Sequence, residues 1–209
     1  FRESLGISQD DSKCIRISSP FPIENRPIIY APVGYMSKAH LDKTLPSLIE
    51  AIKAILSEHK NVKGIIHTHS YYTANRVKNS IRDKRLLIHN SNNRDVILEK
   101  HERSKEPTVL ISPSMTEGVD LKGDISRFQI ICKVPYPFLG DKLVKKRMNR
   151  WKWWYPLQTA KTVVQSVGRS VRSDTDYAVT YILDSNWSGF YYKNKNLFPE
   201  DFQKCLIQA

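Results

Sequence analysis

Residues Val164 to Asp184 read VQSVGRSVRSDTDYAVTYILD, and the fold and chemistry of the chain turn on how this stretch is read. Turning about 100° per residue from Ala160, the positions Ala160, Val164, Val167 and Val171 fall on one apolar stripe of an ideal helix. Such a stripe is expected to be buried. Gln165, Arg169 and Arg172, at i, i+4 and i+7, land on the opposite side, and Gly168 between the faces lets another backbone or a ligand come close. Two guanidiniums one turn apart repel by about 0.2–0.5 kcal/mol unless an anion lies between or beyond them. A triphosphate would supply that charge. The plain alternative is an amphipathic helix whose arginines make surface ion pairs with Asp174 and Asp176.

A second stretch, Val109 to Pro137, reads VLISPSMTEGVDLKGDISRFQIICKVPYP. It predicts a strand at Val109 to Ile111, a polar Gly-containing loop, a strand at Phe128 to Val134 and a Pro-Tyr-Pro stop. Loops after the carboxyl ends of parallel strands are where open α/β sheets bind ligands. A third stretch, Gly64 to Tyr72, GIIHTHSYY, is an apolar strand that breaks into a polar aromatic cluster ahead of a helix. Ser70 there is either a phosphate contact, together with helix-start N–H groups, or a plain N-cap. His67 and His69 alternate along the strand, but no cysteine or carboxylate stands nearby at ligand spacing, which argues against a metal.

Gln165 to Arg172, with the continuation Asp174-Thr175-Asp176-Tyr177-Ala178 and a strand ending at Leu183-Asp184, resembles motif VI of superfamily 2 helicases, in its DinG/XPD-like form. The phrase T-E-G-V-D-L resembles motif V of the same group, which has S-E-G-I-D-F, and Ser70-Tyr71 resembles the Ser-Tyr pair of motif IV. The three stand in helicase order and span about half of the chain. Ser19-Pro20-Phe21-Pro22 is similar to a segment that precedes this domain in DinG-like proteins. Ala178 stands where that family often has Gly, and Asn186 where a basic residue is common, but neither falls on the phosphate face.

The resemblance implies an α/β fold: a RecA-like parallel sheet with helices on both faces, the C-terminal lobe of a P-loop NTPase-like helicase. It implies that Arg169 and Arg172 act on the γ-phosphate of ATP, with Gln165 positioning phosphate or water. Gly168, Gly118 and Asp120 would bind or couple the nucleotide, and Thr116, Glu117, Ser70 and Tyr71 would touch the nucleic-acid backbone. The partners implied are single-stranded DNA or a forked duplex and the N-terminal RecA-like lobe of the same protein, with 5′ to 3′ tracking. ATP and Mg²⁺ would be bound mainly by that first lobe. Many relatives carry an iron–sulfur cluster, but in the first lobe, and none is expected in this chain.

No G-x-x-x-x-G-K-[ST] phosphate loop and no acidic Mg²⁺ motif occur here; Lys43-Thr44 and Lys161-Thr162 lack the glycines whose backbone would cradle phosphates. The chain starts with Phe, so it is expected to be the C-terminal part of a longer protein and to hydrolyse no ATP by itself. With Lys+Arg 33 against Asp+Glu 21, net +12, the charge suits a nucleic-acid partner, without telling DNA from RNA or a membrane surface. No apolar run nears about 18 residues and no signal peptide is visible, so an intracellular, unsecreted protein free of membranes is expected, in the cytoplasm, nucleoid or nucleus. Cys14, Cys132 and Cys205 are too few and scattered for a disulfide framework or a zinc site.

Alternating apolar strands and amphipathic helices divide the chain into a lead-in (1–40), a RecA-like domain (41–186) and a helical or loop tail (187–209). A basic and aromatic insert occupies about 138–156. Within it KLVKKRMNRWKWWY, Lys142 to Tyr155, puts Lys142, Lys146 and Arg150 on one helical stripe, followed by Trp151, Trp153 and Trp154. The stripe reads as a surface for backbone phosphates. The tryptophans are expected to pack the insert onto the sheet, the alternative being that they stack on bases.

Overall fold

In a computed structural model the residues described are 5–8, 10–13, 15, 17–113, 123–168, 170, 171 and 173–208. Thr116, Glu117, Gly118, Asp120, Arg169 and Arg172 lie outside them. The described strands are β1 (Ile28–Gly34), β2 (Gly64–His67), β3 (Leu86–Ile88), β4 (Val109–Ser112), β5 (Phe128–Ile131), β6 (Val179–Asp184) and β7 (Leu206–Gln208). They form one sheet in the order β3-β4-β2-β5-β6-β1-β7, and every pairing is parallel. The helices are α1 (Leu41–Glu58), α2 (Tyr71–Ser80), α3 (Arg94–Arg103), α4 (Lys142–Arg150), α5 (Trp154–Val167), α6 (Asn186–Lys193) and α7 (Glu200–Cys205).

The central strands read as continuous apolar runs because a parallel sheet is covered on both sides. On one face α1 contributes Leu45, Leu48, Ile52 and Ile55, and α2 contributes Ala74 and Val77, against Ile66, Ile111, Phe128 and Ile130. On the other, α5, α6 and α7 pack Ala160, Val163, Trp187, Phe190 and Phe202 against Ile28, Ile131 and Ile182. There α3 adds Ile97 and Leu98 beside Ile65 and Leu110. The sheet is therefore covered by helices on both faces, as the RecA-like resemblance implied. Gly64 opens β2 where Phe128 of β5 crosses it, and a Cβ there would collide with the Phe128 ring. That ring stacks on His59 at 4.6 Å.

The sheet reaches beyond residues 41–186 on both sides. β1 lies ahead of that span, and β7 pairs with it from residues 206–208. The segment after Trp187 is thus no loose tail, because its aromatics build part of the core. Trp187 is buried and packs on Tyr191, Phe198 and Phe202, with ring centroids 5.3, 5.5 and 6.3 Å away. Emptying such a position typically costs about 3–5 kcal/mol.

Helix α5 departs from its expected length and rotation. It stops at Val167 with Gly168 as its C-cap, so of the i, i+4, i+7 face drawn through Gln165, Arg169 and Arg172 the helix carries Gln165, while the two arginines lie outside the described residues. Val171 is buried, but beyond the helix end. The inward stripe is Ala160, Val163 and Val167, while Val164 is only half-buried. The physical reason is the glycine: it disfavours helix continuation, and its N–H closes the last turn on the Val164 carbonyl at 3.0 Å.

Candidate functional site

The candidate residues fall at the two ends of α5, which its 14 residues separate by about 20 Å. At the carboxyl end of the helix, Gln165 and Gly168 are exposed, immediately ahead of Arg169. The docking side of this turn is fixed: Gln129, buried on β5, donates through Nε2 to the Val167 carbonyl at 3.2 Å. The chain then turns inward, and the buried Ser170 hydroxyl donates to Ser126 Oγ at 2.9 Å.

Next to that turn lies a charged cluster that sequence reasoning missed. Arg127, between the motif V segment and β5, bonds through Nη1 to Asp176 Oδ1 at 2.5 Å and to the Tyr177 carbonyl at 3.1 Å. Its Nε and Nη2 reach Asp124 Oδ1 at 3.0 and 2.8 Å, and its guanidinium lies 4.3 Å from the centre of the Tyr177 ring. Asp176 also accepts from the Gly123 backbone N–H at 3.1 Å. Burial works against the Arg127 charge, but Asp124 and Asp176 outweigh it and raise its pKa. Asp176 is buried, so its ion pair with Arg127 is an interior one. The result ties the residues that follow motif V to those that follow motif VI. A lone Asp in D-T-D-Y and a lone Arg 49 positions earlier give no local signal for this contact.

His101 of α3 supports the same region. Its Nε2 lies 3.0 Å from the Ile125 carbonyl and its Nδ1 2.9 Å from Thr108 Oγ1. A carbonyl only accepts, so Nε2 carries the proton and Nδ1 accepts from the hydroxyl. Burial lowers its pKa to about 4.

At the other end of α5, the carboxyl rim of the sheet gathers motif IV and the insert. Ser70 is the N-cap of α2: its Oγ accepts from the Thr73 N–H at 3.0 Å and donates to Thr73 Oγ1 at 2.7 Å. The plain-cap reading is thus realised. Tyr71 follows it, half-exposed. Thr68 holds this turn to the end of β4, its N–H donating to the Ser112 carbonyl at 3.0 Å, so the motif IV turn and the start of the motif V loop are neighbours. His69 between them takes a left-handed backbone with φ 58°, and burial with the nearby Lys133 charge lowers its pKa to about 4.

Helix α4 is capped by Asp141, which accepts from Leu143 and Val144 N–H at 2.7 and 3.2 Å. It buries no residue, leaving Lys142, Lys146 and Arg150 exposed. Trp151, Trp153 and Trp154 join none of the three core clusters, contrary to the expectation that they pack the insert onto the sheet. They stay half-buried, and two of them carry cations: Arg150 lies 4.9 Å from the Trp151 ring centre and Arg147 5.6 Å from that of Trp154. Among the described residues no cluster of His, Cys, Asp and Glu could hold a metal ion, and no helix is long and apolar enough to cross a membrane.

Comparison with known proteins places this geometry. Residues 52–205 match the family model of the helicase C-terminal domain. The chain is 25% identical over 203 residues to the ATP-dependent DNA helicase DinG of Photobacterium profundum, covering 88% of this chain and 29% of that protein. It is 26% identical over 196 residues to the ATP-dependent DNA helicase YoaA of Haemophilus influenzae, covering 88% and 30%. It thus spans about three-tenths of the length of these curated relatives. Among solved structures, S. tokodaii Xpd4 superposes with a TM-score of 0.67 at 18% identity, over 97% of this chain and 42% of that one. The C-terminal domain of the DEAD-box protein Dbp5 superposes with 0.52 at 10% identity, over 88% of each chain. The sheet order, the motif order and the family match together make this chain a member of the helicase C-terminal domain family, the C-terminal RecA-like lobe of a DinG/XPD-like superfamily 2 helicase.

Proposed function

We propose that this lobe is the second half of an ATP-driven DNA motor that tracks along single-stranded DNA, 5′ to 3′, and opens duplex ahead of it. The observation that carries the reading is the exposed end of α5. One face of the helix is pinned to the sheet through Gln129, while Gln165 and Gly168 stand open to solvent directly ahead of Arg169. A neighbouring lobe that brought ATP and Mg²⁺ to this edge would set the γ-phosphate against Gln165, Arg169 and Arg172. The arginines would stabilise the charge of the transition state, and Gln165 would hold phosphate or water.

DNA contact belongs to the other end of the helix in this reading. The motif IV turn at Ser70 and Tyr71, the motif V residues Thr116 and Glu117, and the exposed stripe Lys142, Lys146 and Arg150 would follow the backbone of one strand. Gly118 and Asp120 would link that contact to the nucleotide. Loss of the γ-phosphate would release the arginines and let the two lobes part, shifting the grip on DNA.

The test is ATP hydrolysis by the full-length protein with and without single-stranded DNA or RNA, beside Arg169→Ala. The expected result is DNA-stimulated turnover that falls by about 10³-fold in the variant, with DNA affinity nearly kept. A variant that keeps most of its turnover removes Arg169 from catalysis. Salt-dependent binding without turnover in the wild type would make the lobe part of a non-catalytic binding module, and stronger stimulation by RNA would make the protein an RNA helicase.

A further inference from the structure

Between the motif IV turn and the basic helix, on the carboxyl rim, lies a cavity of about 430 Å³ lined by His69, Lys133, Phe138, Trp154 and Gln158, among others. Its size falls in the ~300–1,000 Å³ range of small-ligand sites. Three features of its wall stand apart from ordinary surface. His69 Nε2 is buried without a hydrogen-bond partner among the described residues, and the His69 backbone is left-handed, with φ 58°. Buried polar atoms are nearly always paired, so an orphan beside a cavity points to a group that enters. Phe138 is 79% exposed, an aromatic ring left open at the rim of the cavity, and Trp154 forms a second aromatic part of the lining. Lys133 adds a cation, and Gln158 an amide that can donate and accept.

Flat rings, a hydrogen-bonding edge and one cation match the chemistry of a nucleotide unit: a base that stacks, an edge to read and a phosphate to neutralise. The position agrees. His69 directly precedes Ser70 and Tyr71, and Trp154 lies beneath Arg147 of α4, so a strand running from the motif IV turn to the basic stripe crosses the cavity. We infer that this cavity receives one base of the bound single strand, stacked on Phe138 and Trp154, with its polar edge meeting His69 and Gln158. The inference rests on the nucleic-acid reading above and adds to it a discrete base-binding position on a track otherwise made of phosphate contacts.

Its test is a set of single-stranded DNA oligomers in which one abasic site is moved stepwise along the sequence, bound to the full-length protein and followed by fluorescence anisotropy. With the wild type, one position is expected to weaken binding by roughly 10-fold, the loss of one stacked base. In Phe138→Ala that positional penalty should shrink to about 2-fold or less, while the unmodified oligomer binds more weakly than to the wild type. Phe138 is exposed enough that its loss leaves the fold intact. His69→Gly supplies a second variant, removing the imidazole at a backbone geometry that glycine adopts freely. It should blunt any preference for base identity at the sensitive position. Binding with no positional penalty, or with the same penalty in Phe138→Ala, overturns the base pocket and leaves the nucleic-acid reading standing. Failure of the wild type to bind any oligomer overturns both.

Discussion

Asp176, shortly before β6, and Asp184, its last residue, are both buried, at 6% and 0% exposure, yet they are satisfied in opposite ways. Asp184 collects neutral donors: Met36 N–H at 3.2 Å, Val134 N–H at 3.0 Å, and Asn186 backbone and side-chain N–H at 3.0 and 2.9 Å. It staples the ends of β1 and β5 to the start of α6. Asp176 instead meets the guanidinium of Arg127, which also holds Asp124. Backbone donors fix a position and little else, because they belong to strands already placed by the sheet. A charge pair binds two segments that the sheet leaves apart, here those that follow motifs V and VI. The carboxyl end of the strand is therefore scaffold. The amino end is a joint between the two loops that the proposed cycle uses.

The largest effect expected at the joint follows from removing its cation. Arg127→Ala breaks the buried ion pair with Asp176, a change that typically costs about 3–5 kcal/mol. Urea unfolding of the variant measures it. Arg127→Lys should recover only part of the loss, since a point charge cannot serve Asp124, Asp176 and the Tyr177 carbonyl as a planar fork does. A wild-type midpoint for Arg127→Ala would mean that hydrophobic packing alone holds this end. At the scaffold end Asp184→Asn keeps the shape but turns an amide NH₂ toward N–H donors that need an acceptor. We expect a smaller loss of about 3 kcal/mol, hydrogen bonds to a charged group being worth about 1.5–3 kcal/mol each. Unchanged thermal melting in Asp184→Asn would show that the staple is dispensable and remove the contrast between the two ends.

How far these two ends could be read in advance differs for physical reasons. The strands β2, β4, β5 and β6 were legible because burial on a sheet imposes apolar runs on neighbouring positions. Motif VI was legible as a pattern but misread as geometry. The valines keep helical spacing past Gly168, yet the helix ends at Val167 with Gly168 as its cap. The aromatic core of the last segment left a trace in Trp187, Phe190 and Tyr191 at i, i+3 and i+4, which was passed over as tail. The Arg127 cluster left none, because each of its charges looks like any other surface charge until the fold brings them together. The cavity beside His69 is illegible for the same reason: its walls come from three separate stretches of chain.

Acid should divide the two ends further. His101 grips the Ile125 carbonyl at the turn whose first residue, Gly123, donates to Asp176, so it belongs to the joint. Its pKa is depressed to about 4 in the folded protein, with burial as the main cause and Lys63 adding to it, against an ordinary value near 6.5. Between those two values the unfolded chain binds a proton that the native protein does not. The stability His101 contributes is thus complete above about pH 6.5 and is lost as the pH falls toward 4. At about 1.4 kcal/mol per unit, the loss attributable to this ring reaches about 2 kcal/mol by pH 5. His69, depressed to about 4 as well, acts in the same direction, so the wild-type slope alone does not isolate the joint. The difference between wild type and His101→Asn does: the variant starts lower at pH 7, and its unfolding free energy should decline less steeply between pH 6.5 and 5, because the contribution of His101 is gone while those of the other depressed histidines, His59 and His69, remain in both proteins. Parallel curves would mean that the His101 proton is taken up without strain, and that the joint at the amino end of β6 is no more sensitive to acid than the scaffold at the other.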